Sequence, residues 1–80
     1  MEFPYNLSQL RPGQYATVQG ILTTGTMRRR LLDLGLIEHT EVMCIGKSPL
    51  GDPSAYLIRG AVIAIRAKDS RKILINIKSS

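Results

Sequence analysis

Three observations predict a mainly β domain, built as a small five-stranded barrel with one short helix across an opening. Apolar and polar residues alternate over several short stretches, the pattern of strands buried on one face. Glycines and prolines punctuate the chain between those stretches and leave tight turns. Only one segment repeats its apolar residues at helical spacing, with Met27, Leu31 and Leu34 at i, i+4 and i+7. A chain of 80 residues has room for a single core, so residues 1–80 are expected to form one domain.

The elements follow in order. Leu10-Arg11-Pro12-Gly13 reads as a turn, Pro12 fixing φ and Gly13 free to take a positive one. Tyr15 to Leu22 is rich in β-formers, with Ala16 and Val18 on one face. Thr23-Thr24-Gly25-Thr26 supplies a loop and hydroxyls able to cap a helix, and Gly35 lies where a C-terminal cap belongs, which places the helix over Thr26 to Leu34. Glu41 to Ile45 is mostly apolar and is expected to be a well-buried strand. Ser48 to Pro53 is a loop stiffened by two prolines. Ala55 to Arg59 and Ala61 to Arg66 form a hairpin joined at Gly60. Ala67 to Lys72 has the length of one helical turn, with Asp69 near its start. Ile73, Ile75 and Ile77 alternate along a last strand, with Asn76 and Lys78 outward. Closing the barrel would remove most exposed sheet edges.

Composition narrows the function. Formal net charge is +5: residues 1–40 carry four basic and three acidic side chains, and residues 41–80 seven and three. The excess sits in the second half as scattered single cations. Such a balance suits an acidic partner, nucleic acid or an anionic membrane surface, and equally a basic surface that only solubilises. Cys44 is the one cysteine, so no internal disulfide forms and a reducing compartment is favoured. Met1 to Leu10 lacks the basic and apolar regions of an export signal, and no apolar run approaches the ~20 residues of a membrane span. The expectation is a cytoplasmic protein with no membrane insertion.

The inventory for catalysis is short. His39 is the only histidine, a turn residue. Cys44 lies in the apolar run Val42-Met43-Cys44-Ile45, the setting of an inert buried thiol. His39, Glu41 and Cys44 do not converge as metal ligands, because positions three apart on a strand face opposite ways. Asp33, Asp52 and Asp69 are isolated, and Gly51 and Gly60 are lone turn glycines. No catalytic residue, metal ligand or cofactor is therefore assigned, and the chain is expected not to be an enzyme.

Arg28-Arg29-Arg30 is more informative. Three cations in the first turn of a helix oppose its dipole, at a few tenths of a kcal/mol each when exposed. Arg29 and Asp33 can pair at i, i+4, in the less favourable order. A helical wheel turns Arg28 and Arg29 outward with Leu32 beside Arg28, and lays the Arg30 stem along the apolar stripe. A local rule broken at three consecutive positions points to a binding surface, set against the plainer reading of a solvated basic face.

Arg30-Leu31-Leu32-Asp33-Leu34-Gly35-Leu36, a strand, Pro49-Leu50-Gly51-Asp52-Pro53, then Ala64-Ile65-Arg66 resembles the FeoA family, small proteins of bacterial ferrous iron transport. Leu7, Leu10, Gly13, Ala16 and Val18 fit the family's opening pattern, so the resemblance covers nearly the whole chain. It implies an SH3-like barrel of five to six strands, and a non-enzymatic cytoplasmic role beside FeoB, the membrane ferrous iron transporter with a GTP-binding domain. A related domain ends the iron-dependent repressors of the diphtheria toxin repressor type; with no DNA-binding helical domain in these 80 residues, the stand-alone transport form is the expected match. The family's Pro-Gly after the helix is replaced by Glu38-His39, which questions whether the turn keeps a positive φ.

The expected partner surface joins Arg28, Arg29 and Leu32 of the helix to the loop Pro49, Leu50, Gly51, Asp52 and Pro53. Two other readings stand beside it. A nucleic-acid-binding barrel would use the positive charge, but Phe3, Tyr5, Tyr15 and Tyr56 do not interleave with the cations as stacking platforms would, so nucleic acid is not the expected partner. A transition-metal-binding regulatory domain would need ligands that the residue count does not supply.

Overall fold

The computed structural model describes residues 5–78. Phe3, and the reading of Met1 to Pro4 as carrying no export signal, lie outside the described residues. Six strands, β1 (Tyr5–Asn6), β2 (Tyr15–Ile21), β3 (Glu41–Lys47), β4 (Ser54–Ile58), β5 (Ala61–Ile65) and β6 (Ile73–Ile77), alternate with a 3-10 turn at Leu7–Gln9 and two helices, α1 (Gly25–Asp33) and α2 (Ala67–Ser70). Every pairing is antiparallel, and the strands follow the order β1-β6-β2-β3-β4-β5. No helix among the described residues is long and apolar enough to cross a membrane.

Alternation decides which residues enter the core. Ala16 and Val18 of β2, Val42 and Cys44 of β3, Tyr56 and Ile58 of β4, Ile65 of β5, and Ile73 and Ile75 of β6 are all buried in one cluster. Register aligns them: Ala16 lies opposite Val42 and Ile77, and Cys44 opposite Tyr56. Irregularities in register between Val18 and Gly20 and between Cys44 and Gly46 bend β2 and β3 around that core. Alternation explains why β3 is less buried than its composition suggested: Val42 and Cys44 face the core, so Ile45 lies on the other face and is 43% exposed.

The segment before Leu10 carries structure that periodicity could not reveal. Asn6 Oδ1 accepts a hydrogen bond from Ser8 N, and Gln9 Oε1 accepts one from Asn6 N. This reciprocal cap fixes the 3-10 turn and drives Leu7 and Leu10 into the core. The Tyr56 hydroxyl reaches over and donates to Leu7 O at 3.3 Å.

The helix runs from Gly25 to Asp33, one residue earlier at each end than expected, and its C-terminus corrects the predicted core. Gly35 N donates to Leu32 O and Leu36 N to Leu31 O, the paired bonds of a Schellman cap, with Gly35 at φ +95°. That reversal sends Leu36 inward against Leu31, both buried, and leaves Leu34, the last member of the predicted stripe, 37% exposed. Thr24 holds the N-cap position, but its side chain makes no capping bond.

Arg59 does not extend β4. It forms the two-residue turn with Gly60, at φ +50° and +84°, the signature of a type I′ hairpin. Its side chain lies over Gly35, tying the hairpin tip to the end of α1. His39 takes φ +74°, so the turn keeps the positive φ that Glu38-His39 had put in question. Two bonds hold it: His39 N donates to Val18 O at 2.7 Å and Val18 N to Thr40 O at 2.9 Å. The barrel also keeps two sheet edges, because β5 pairs with β4 alone and β1 with β6 alone.

Candidate partner-binding surface

Arg28, Arg29 and Leu32 share one shallow concavity of about 550 Å³ with Gly25, Thr26 and Asp33. All three candidate residues are exposed, Leu32 at 37%. Their roles differ. Arg28 Nη1 donates to Ile21 O at 2.8 Å and so clips α1 to the end of β2. Arg29 has no such bond and stands free toward solvent. Lys78 with Glu41 is the one ion pair among the described residues, so the pairing of Arg29 with Asp33 does not form. The expected dipole conflict is also corrected, because the helix starts at Gly25 and Arg28 to Arg30 are its fourth to sixth residues, with Arg30 in the last turn, where the dipole favours a cation.

The loop is held at its base and open at its tip. Gly51 N donates to Ser48 O at 2.7 Å and Ser48 N to Pro53 O at 3.1 Å, closing a turn around Pro49 and Leu50. Leu50 at the apex is 94% exposed. Asp52 Oδ1 accepts from Ala67 N at 2.8 Å, which caps α2 from across the fold. Asp52 is therefore a structural tie as well as a surface carboxylate. The peptide before Pro53 is cis.

The two halves of the predicted surface do not line one depression. Pro53 borders a different groove, about 310 Å³, on the opposite flank of α1 with Met27, Arg30, Leu31 and Leu34. Helical geometry explains the division: Arg28 and Leu32 are four apart and share a face, while Met27, Arg30, Leu31 and Leu34 share the other. A third concavity, about 560 Å³, lies between Tyr15, Ile37, His39, Met43, Leu57 and Arg59. Residue-type reasoning missed it because its walls come from three separate segments. The outward positions of Tyr15 and Ile37, each 45% exposed, were the available signal.

The titratable groups are dispersed. Cys44 is fully buried, and desolvation pushes its thiol up from the ordinary value, against the weaker pull of Lys47. His39 and Glu41 are exposed, and Glu41 is taken up by Lys78. No three His, Cys, Asp or Glu side chains gather among the described residues. Charge, an exposed leucine and a stiff loop suit recognition of another macromolecule.

Residues 5–77 match the family model of the FeoA domain. A Porphyromonas gingivalis fusion of Fe(2+) transport protein A with the Fe(2+) transporter FeoB is 30% identical over 74 residues, 92% of this chain and 9% of the fusion. The chain thus spans about a tenth of that relative's length. The solution structure of a FeoA-like protein from Clostridium acetobutylicum superposes with a TM-score of 0.87 at 29% identity, over 100% of this chain and 93% of the other. A zinc complex of Stenotrophomonas maltophilia FeoA, described as a procaryotic SH3 domain protein, shares the fold: TM-score 0.79, 24% identity, 89% and 88% covered.

Proposed function

The chain belongs to the FeoA family, and from that premise we propose that it is a cytoplasmic, non-enzymatic accessory of bacterial ferrous iron transport that binds and modulates FeoB. One observation carries the reading: in the P. gingivalis relative a stretch 30% identical to this chain is joined to a FeoB transporter in one polypeptide. Covalent fusion keeps two modules at high effective concentration, which is useful where they act on each other.

The contact we assign comprises Arg28, Arg29 and Leu32, extended by Pro49, Leu50, Gly51, Asp52 and Pro53. Leu50 supplies an apolar anchor on a loop that loses little entropy when it docks, and Arg29 a free cation. Mechanism would then reside in assembly, with no bond made or broken by this chain.

Arg29→Glu is the cleanest probe, because Arg28 also ties α1 to β2. The variant should melt within a few degrees of the parent. Binding to the isolated cytoplasmic part of FeoB, read by calorimetry, should weaken at least tenfold, and more with Leu50→Ser added. Full-strength binding by the folded double variant would remove this surface from the contact. No binding by the parent would remove the reading itself.

A further inference from the structure

We propose that the free edge of β5, with the groove it shares with α1, docks an extended acidic segment of a partner protein, which joins the sheet as an added strand. The inference does not depend on the iron-transport reading and uses a different flank of α1, sharing only Pro53 at the groove's border with the contact assigned above.

The backbone supplies the first argument. The type I′ turn at Arg59-Gly60 makes Ile58 and Ala61 a hydrogen-bonded pair, and the register then alternates. Ala61, Ile63 and Ile65 point their N–H and C=O groups at β4. Val62 and Ala64 point theirs away, and neither has a hydrogen-bond partner among the described residues. Natural sheets blunt such edges with charge, proline, a bulge or a cover. β5 reads Ala-Val-Ile-Ala-Ile, its five-residue register is unbroken, and Val62 is 64% exposed. An edge left this bare is suited to strand addition.

The groove supplies the second. Residues of an added strand that point inward would enter the depression of about 310 Å³ floored by Met27, Leu31, Leu34 and Ile63. Arg30 and Arg66 stand at its margin without an ion pair. Asp69 also borders it, so two cations and one carboxylate leave the margin with a formal charge of +1. The fitting occupant is therefore extended, apolar at alternate positions and acidic at its ends. A second copy of this chain fits poorly. Antiparallel pairing of β5 with itself about Ile63 sets Arg66 opposite Gly60 and beside Arg59 of the other copy, like charge on like.

Panning a random twelve-residue peptide display library on the whole chain, followed by amide exchange measured by NMR, tests this. Enriched peptides should be net acidic with alternating apolar residues. They should slow exchange at Val62 and Ala64, which exchange rapidly in the free protein. Arg30→Glu with Arg66→Glu should weaken binding at least tenfold, and Arg29→Glu should not. Val62→Pro, which removes an outward N–H and spares the β4 ladder, should abolish it; the charge variant decides the matter should that protein fail to fold. Failure to enrich, basic winners, or protection at other strands would overturn the proposal. So would protection of Val62 and Ala64 that rises with protein concentration alone, which would assign the edge to a second copy.

Discussion

Gly35 carries two constraints at once, and they separate by experiment. Its φ of +95° is strained for any residue with a Cβ, and an added Cβ would overlap the Arg59 Cδ. The overlap falls on a flexible side chain that can swing aside, whereas the backbone angle cannot relax without losing the Schellman bonds. Gly35→Ala should therefore cost about 1–3 kcal/mol, nearly all of it conformational. In an Arg59→Ala background the cost should be the same within ~0.5 kcal/mol, by chemical denaturation of all four proteins. A Gly35→Ala change that becomes almost free there would give the contact, and not the backbone, the deciding role. Tyr56 and Cys44 set the alkaline limit by similar local physics. Burial is the first cause raising each above its ordinary value, so the folded state holds the phenol and the thiol protonated. The unfolded chain releases these protons earlier. Stability from both groups is thus complete at neutral pH and declines as pH rises past the ordinary thiol and phenol values of ~8.5 and ~10. Melting temperature should be flat from pH 6 to 8 and fall above about pH 9, and Tyr56→Phe should flatten the part above about pH 10.

At the scale of elements, the end of α1 distinguishes what periodicity can and cannot see. Met27, Leu31 and Leu34 obey the helical repeat, yet the chain reverses at Gly35 and Leu36 takes the buried place. Leu36→Ala should cost about 2–5 kcal/mol, whereas Leu34→Ala, at a site 37% exposed, should cost less than about 1. Equal losses in urea titrations would mean that Leu34 is as much core as Leu36. The strands were legible because alternation survives in a sheet with one buried face: Ala16, Val18, Ile73 and Ile75 lie inward as read. The 3-10 turn was not, since Asn6-Leu7-Ser8-Gln9 signals itself through side-chain caps and has no repeat. Of the candidate surface, the exposure of Arg29, Leu32 and Leu50 was legible. The bonds from Arg28 to Ile21 and from Asp52 to Ala67 were not, because they join segments 7 and 15 residues apart that only the fold brings together.

Across the whole molecule, the +5 charge is spread over a surface with very little pairing, Lys78 with Glu41 being the one ion pair among the described residues. That distribution bears on nucleic acid, the other class of partner a basic barrel of this size serves. Sequence-tolerant binding needs aromatic faces beside the cations, and base readout needs donors set in a groove. Tyr56 is buried with its hydroxyl on Leu7; of the exposed tyrosines, Tyr15 shares its concavity with a single cation, Arg59, and neither Tyr5 nor Tyr15 lines the concavities that hold Arg28, Arg29, Arg30 and Arg66. Phosphate contacts alone would remain. Each releases counterions, so affinity falls with a slope of about −0.7 per contact for a single strand. A fluorescent single-stranded homopolymer should then bind weakly at 50 mM salt, with no preference among bases, and its anisotropy change should vanish by 200 mM. Sub-micromolar binding to one defined sequence at 150 mM salt would require stacking or base contacts that this arrangement of tyrosines and arginines does not offer. It would put nucleic acid ahead of a protein partner.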